Sequence, residues 1–281
     1  MKEAHTTAPT LHPEVDAVLR ELVSGVEQAL GDQFVAAYLQ GSLAVGDFDE
    51  YSDVDFVIVT DGELTDSRVA NLQSMHARIY NGDSKWAKRL EGSYFPGAVL
   101  RDCAQSGREL WYLDNGSSVL VRSNHCNKTV IRWILRERGV VLSGPEPSAL
   151  IDPITAEDLR GAILASINGS WEQILANPEQ FKNRFYQSFI VLHFCRKLHD
   201  LVVGAVGSKR VGAEWAKRHL GQPWIGLIER AWEMRTDPEV SIRQAASEAD
   251  FDSTLEVVRE VIRAAHVFAS SEEFRSQGKR P

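Results

Sequence analysis

"GSLAVGDFDEYSDVDFVIVT", residues 41–60, sets a Gly-Ser pair, ten further residues and an Asp-Val-Asp triplet ahead of an apolar run. Charge at the entry to a buried strand is costly unless something compensates it. Alternate side chains of an extended chain share a face, so Asp53 and Asp55 stand on one side with Cα atoms about 7 Å apart. Two carboxylates so placed repel unless a cation lies by them. Magnesium suits the position, because it takes hard oxygen ligands and joins one or two carboxylates to phosphates. Upstream, Gly41 allows a tight turn and close approach of the backbone to a ligand. Ser42 adds a hydroxyl and an amide at the start of a possible helix, where anions are favoured. The stretch therefore suggests phosphate held beside magnesium.

Working outward, "FVAAYLQ" before it and "DVDFVIV" within it are strand-like, the second apolar on both faces after its first three positions, as in a central strand covered by helices. Ahead of them, Val15, Val18, Leu19, Leu22, Val23, Val26 and Leu30 recur at helical spacing and predict an amphipathic helix after Pro13. Residues 65–80 predict a second helix with Val69, Leu72, Met75 and Ile79 inward, and "SVLVRS" is a short strand candidate. Near "SGPEPSALIDPIT", residues 143–155, three prolines interrupt regular structure and mark a domain boundary. Beyond it, helical periodicity dominates at about 156–176, 184–203, 211–219, 224–234 and 252–270. The expected fold is α+β: a mixed sheet flanked by helices in residues 1–150, then an α-helical bundle in 151–281, with a frayed polar tail "SSEEFRSQGKRP".

The chain has 281 residues, 43% hydrophobic and 25% charged, with a formal net charge of -8. That acidity disfavours polyanionic partners and favours cationic ones, so nucleic acid is not the expected ligand. The start lacks an apolar leader core and no stretch approaches a membrane span, so a cytoplasmic protein is expected. Cys103, Cys126 and Cys195 are odd in number and far apart, which argues against disulfides or structural zinc. His125 beside Cys126 cannot alone fill a tetrahedral shell.

The order Gly-Ser, ten residues, acidic-apolar-acidic resembles the signature of the nucleotidyltransferase superfamily over roughly residues 30–100. That resemblance implies a mixed sheet flanked by helices, a nucleoside triphosphate, two metal ions, and transfer of a nucleoside monophosphate to a hydroxyl with loss of pyrophosphate. "GVVLSGPEPSALIDPI" and the later "HFCRKLHDLVVGAVGSKRVGAEWA" look like the aminoglycoside adenylyltransferases that modify streptomycin and spectinomycin. The resemblance then implies ATP as co-substrate with two magnesium ions on Asp53, Asp55 and Glu91, the last in "KRLEGSYFP" and also the catalytic base. It places Gly41, Ser42, Ser52, Asn127, Arg196, Lys209 and Trp232 on the nucleotide, Lys209 at the triphosphate and Trp232 near the adenine.

Read without the family, "GAVGSKRVG" lacks the spacing of a P-loop, and Lys209 could be a surface charge in a glycine-rich connector. His193, Arg196 and Asp200 share a helix face at i, i+3 and i+7, and fit an ion pair or a solvated face as well as a site. A free glutamate has a pKa near 4.3, too low for an efficient base toward an alcohol, so the role of base for Glu91 calls for burial or a neighbouring carboxylate. The expected acceptor is a small polycation such as an aminoglycoside, bound by a monomer. One departure stands out: where the relatives carry acidic substrate contacts, this chain has Lys182 and Arg184 in "QFKNRFYQ". Trp171 and Glu172, or Trp111 and Tyr112, could line a substrate wall or a core. Two other readings remain: AMP transfer to a protein or other small-molecule hydroxyl, and a noncatalytic antitoxin-like binding module.

Overall fold

The structure, a computed structural model, describes residues 9–271; most of the expected frayed tail lies outside them. The described residues form two compact units, 9–48 with 52–154, and 49–51 with 155–271.

The first unit is built on a six-stranded mixed sheet. In chain order it contains α1 (Pro13–Leu30), β1 (Phe34–Leu39), α2 (Gly41–Val45), β2 (Val54–Thr60), α3 (Asp66–Tyr80), β3 (Leu90–Pro96), α4 (Gly97–Arg101), β4 (Leu110–Leu113), β5 (Leu120–Ser123), α5 (Thr129–Arg138), β6 (Val140–Ser143) and α6 (Pro147–Leu150). The spatial order is β5-β4-β3-β2-β1-β6. β2 and β3 run parallel, whereas the other neighbours are antiparallel. The parallel pair needs a crossover, and α3 supplies it.

Alternation along β2 decides what each face of the sheet does. Val54, Phe56 and Ile58 point into one core, where Val15, Leu19, Leu22 and Val26 of α1 and Leu72, Met75 and Ile79 of α3 meet them. Val57 and Val59 point the other way, into a second core with Tyr38, Phe95, Leu100, Leu135 and Ile151. Asp55 belongs to this second face by parity but lies at the strand's start, where the apolar cover has ended and it is half-buried. Burial of these apolar side chains, each on the order of 1.5–3 kcal/mol, stabilises the platform that carries the acids.

The second unit is helical: α7 (Ala156–Ala176), α8 (Arg184–Val203), α9 (Lys209–Leu220), α10 (Ile225–Glu233), the short α11 (Pro238–Ser241) and α12 (Glu248–Ser270). Thr155 and Asp158 form a reciprocal capping box on α7. α8 is the hub: Val191, Leu192 and Cys195 pack with Ala213 and Ala216 of α9, Ile228 and Ala231 of α10, and Val257 of α12. Gly212 permits the closest approach, since a Cβ there would overlap the backbone of Arg196. Among the described residues no helix is long and apolar enough to cross a membrane.

Candidate active site

Asp55 and Glu91 are register partners on the parallel pair β2 and β3. Side chains of such partners share a face, with strands about 4.8 Å apart, so the two carboxylates are neighbours by construction. Asp53 precedes β2 by one residue, and its Oδ1 accepts a hydrogen bond from Asn115 Nδ2 at 2.5 Å. Across β1, the Gln40 amide donates to the Asp55 carbonyl at 3.0 Å, pinning the Gly-Ser turn against the triplet. Gly41 has φ +61°, and a Cβ there would collide with the Asp55 carboxylate. Its lack of a side chain therefore makes room for the acid. Ser42 lies in the first turn of α2, and its hydroxyl is buried with no partner in the protein. An orphaned hydroxyl beside an acidic triplet is what a phosphate oxygen would satisfy. Ser52 is buried just ahead of Asp53.

Glu91 is held on one oxygen. Tyr112 of β4 donates its phenolic proton to Glu91 Oε1 at 2.8 Å, and His125 Nε2 approaches the same oxygen at 3.2 Å. Tyr112 Oη also lies 2.7 Å from Asp114 Oδ1, and its ring sits 5.4 Å from that of His125. Burial and the neighbouring Glu91 raise the Tyr112 pKa far above its usual value, so the phenol keeps its proton. The hydrogen bond to Glu91 raises the His125 pKa, and burial opposes it. Cys126, which follows, is buried and its pKa is raised chiefly by desolvation, so it is an inert thiol.

Among the described residues no three His, Cys, Asp or Glu side chains form a ready metal cage. Asp53 and Asp55 with the unpartnered Ser42 hydroxyl nevertheless fit magnesium chemistry, because that ion draws most of its remaining ligands from phosphates and water.

In the helical unit, Arg196 and Lys209 gather around His193. Arg196 Nη2 lies 3.2 Å from His193 Nδ1, and Lys209 Nζ sits 5.2 Å over the ring of Phe189, which stacks on His193 at 5.0 Å. Burial, then Lys197, Arg196 and Lys209, push the His193 pKa well below its ordinary value. A neutral imidazole thus sits with the cations Arg196 and Lys209, an arrangement suited to an anionic ligand. Lys209 is the first residue of α9, and its turn is fixed by Ser208 capping Val211 and by Gly207 donating to Asp200 Oδ1 at 2.8 Å. Asp200 therefore pairs with His199 and Gly207, apart from His193 and Arg196.

Two of the expected nucleotide contacts are differently engaged. Asn127 is fully buried, its side-chain NH2 donates to the carbonyls of Gln105 and Arg108, and its Oδ1 has no partner in the protein. Trp232 carries two guanidinium groups, those of Arg210 and Arg235, each 4.7 Å from its ring centre. Lys182 is paired with Glu179 and Glu248, so its charge is locally compensated. Trp171 lies beneath Arg259, and Trp111 beneath Arg122. Sequence reading missed the roles of Tyr112, Asp114, Asn115 and His125. The signal available was strand parity in "ELWYLD", which puts Tyr112 opposite Ser93 and hence on the Glu91 face.

Two stretches of the chain match known protein families. Residues 19–93 match a nucleotidyltransferase domain, and residues 149–262 match the C-terminal domain of aminoglycoside adenylyltransferase. An aminoglycoside (3'') (9) adenylyltransferase of Shigella flexneri is 23% identical over 231 residues, covering 78% of this chain and 84% of the relative. A spectinomycin 9-adenylyltransferase of Staphylococcus aureus is 24% identical over 227 residues, covering 73% and 79%. In fold, the chain resembles a spectinomycin adenyltransferase from Enterococcus faecialis solved with ATP and spectinomycin, with TM-score 0.65, 13% identity, and coverage of 89% and 98%.

Proposed function

We propose that this chain, a nucleotidyltransferase of the aminoglycoside adenylyltransferase-like kind, transfers AMP from ATP to a hydroxyl of a small cationic aminocyclitol. The observation that carries the reading is the Asp55–Glu91 pair on one sheet face, with Gly41 vacant of a side chain against it and the Ser42 hydroxyl unpartnered.

Asp53 and Asp55 are the residues that would hold magnesium, two ions in this reading. When bound, magnesium supplies charge neutralisation for the triphosphate and for the departing pyrophosphate. The Ser42 hydroxyl donates to a phosphate oxygen, and in the helical unit Arg196 and Lys209 offer positive charge to an anion. Glu91, anchored through Oε1, offers Oε2 to the proton of the acceptor hydroxyl. The acceptor oxygen forms a bond to the α phosphorus as the bond from that phosphorus to the bridging oxygen breaks. Pyrophosphate leaves with the electron pair, and the proton stays on Glu91. Most of the enzyme's contribution is positioning and electrostatics, as in phosphoryl transfer generally.

A cationic acceptor suits a chain of net charge -8. The test is incubation with ATP, magnesium and a panel that includes spectinomycin and streptomycin, following pyrophosphate release and the mass of the adenylylated product. Modification of a panel member supports the reading. Pyrophosphate release only with a protein acceptor, or with none of the panel, replaces the aminocyclitol by another hydroxyl or points to a binding module.

A further inference from the structure

Among the described residues, Tyr112 is a buried side chain that donates a hydrogen bond directly to Glu91; it is 5% exposed and fixed on β4 by pairing with Ser93 of β3 and Val121 of β5. We propose that Tyr112 is a positioning residue for AMP transfer: its phenol clamps Oε1 of Glu91 and thereby aims Oε2 at the acceptor hydroxyl. The inference rests on the reading of Glu91 as the base.

A glutamate side chain has three rotatable bonds, and a free one samples many orientations. A base within reach of its proton for only a fraction of the time lowers kcat by that fraction. Glu91 has an exposed partner and a buried one on the same oxygen. His125 is largely exposed and sits on a loop, so its contact can be exchanged for water. Tyr112 is buried on a sheet strand, so its hydroxyl is a fixed point. Parity supplies the geometry. Ser93 faces Tyr112 directly and Glu91 lies two residues before Ser93, so the phenol reaches diagonally along one face to the carboxylate.

The phenol has one proton and two carboxylate neighbours, Glu91 Oε1 at 2.8 Å and Asp114 Oδ1 at 2.7 Å. Asp114 is exposed to solvent, whereas Glu91 is half-buried. Loss of the phenolic proton is therefore felt more strongly at Glu91, where water replaces it poorly.

The test is Tyr112→Phe, which keeps the ring and removes only the hydroxyl, assayed for AMP transfer from ATP to spectinomycin and to streptomycin alongside Glu91→Gln and the double variant. The expected result is a drop in kcat of about tenfold or more with KM for ATP within about twofold. An unchanged melting temperature within a few degrees is expected too. In the Glu91→Gln background the added Tyr112→Phe change is expected to have little further effect, since the clamp has lost its object. A Tyr112→Phe enzyme with wild-type kcat beside an inactive Glu91→Gln overturns the positioning role alone. The same holds if Tyr112→Phe lowers kcat equally in both backgrounds. Full activity of Glu91→Gln removes the base reading itself, a distinguishable outcome.

Discussion

The Asp55 carboxylate occupies the space that a side chain at Gly41 would need, and Gly41 holds φ +61°, a region other residues avoid. Both constraints act on one residue. Gly41→Ala is expected to carry backbone strain of about 1–2 kcal/mol and to push Asp55 out of place. Activity should fall by at least about tenfold while the fold persists. Steady-state kinetics with a melting curve on the same sample checks this, and wild-type kcat/KM would show that Asp55 needs no such cradle.

Asp200 bears on the other half of the chemistry. Its Oδ1 accepts from the His199 ring and from the amide of Gly207, each at 2.8 Å, and Gly207 lies two residues before Lys209 begins α9. Removing the carboxylate in Asp200→Ala leaves the part-buried Gly207 amide unpaired, at about 1–3 kcal/mol at most. The expected outcome is a lower melting temperature and a KM for ATP raised several-fold. Asp200→Asn, which keeps an acceptor for Gly207, should lie between the two. A KM unaffected by Asp200→Ala would separate the turn from triphosphate binding.

Lys197 predicts a pH effect on stability. It is 7% exposed, bonded to the Ser166 carbonyl and the Ser170 hydroxyl, and its pKa falls from 10.5 to about 7, first through burial and then through Arg196. Between those pH values the unfolded chain binds a proton that the folded chain does not, so this group makes stability rise with pH across that window. Below about pH 7 both states hold the proton and the full penalty of burying the ammonium applies. Lys197→Met should therefore gain on the wild type as pH falls toward 7, by on the order of a few kcal/mol at most, and lose that gain near 10.5. Urea melts at several pH values test the slope, and parallel curves for the two proteins would contradict it.

Much of this architecture is legible from periodicity. The stripe Val15, Leu19, Leu22, Val26 marks α1, and the long helices of the second half emerge within a few residues of their observed ends, because each buries one apolar face. The strand β3 is masked by Gly92 and Pro96, which read as breakers. Gly92 is there because a Cβ would overlap Phe56 on the neighbouring strand, a packing demand that only the third dimension reveals. β6 is four residues long and all half-buried, so it has no alternation to detect. Lys209 reads as part of a connector because Gly204 and Gly207 precede it, yet Ser208 caps a helix that starts on it. Among site residues, those within one short motif were visible: Gly41, Ser42, Asp53 and Asp55 lie within fifteen positions. Glu91 was visible through family resemblance alone. Tyr112, Asn115 and His125 reach the carboxylates only through strand pairing and loop closure, and contacts of that kind leave no local pattern.

The most direct measurement compares the rate of acceptor-dependent pyrophosphate release by the wild type and by Asp55→Asn under the same ATP and magnesium. An amide cannot replace the anionic oxygen against Gly41, so a loss of at least about a thousandfold is expected, with the fold intact by circular dichroism. Equal rates from the two proteins would contradict the account.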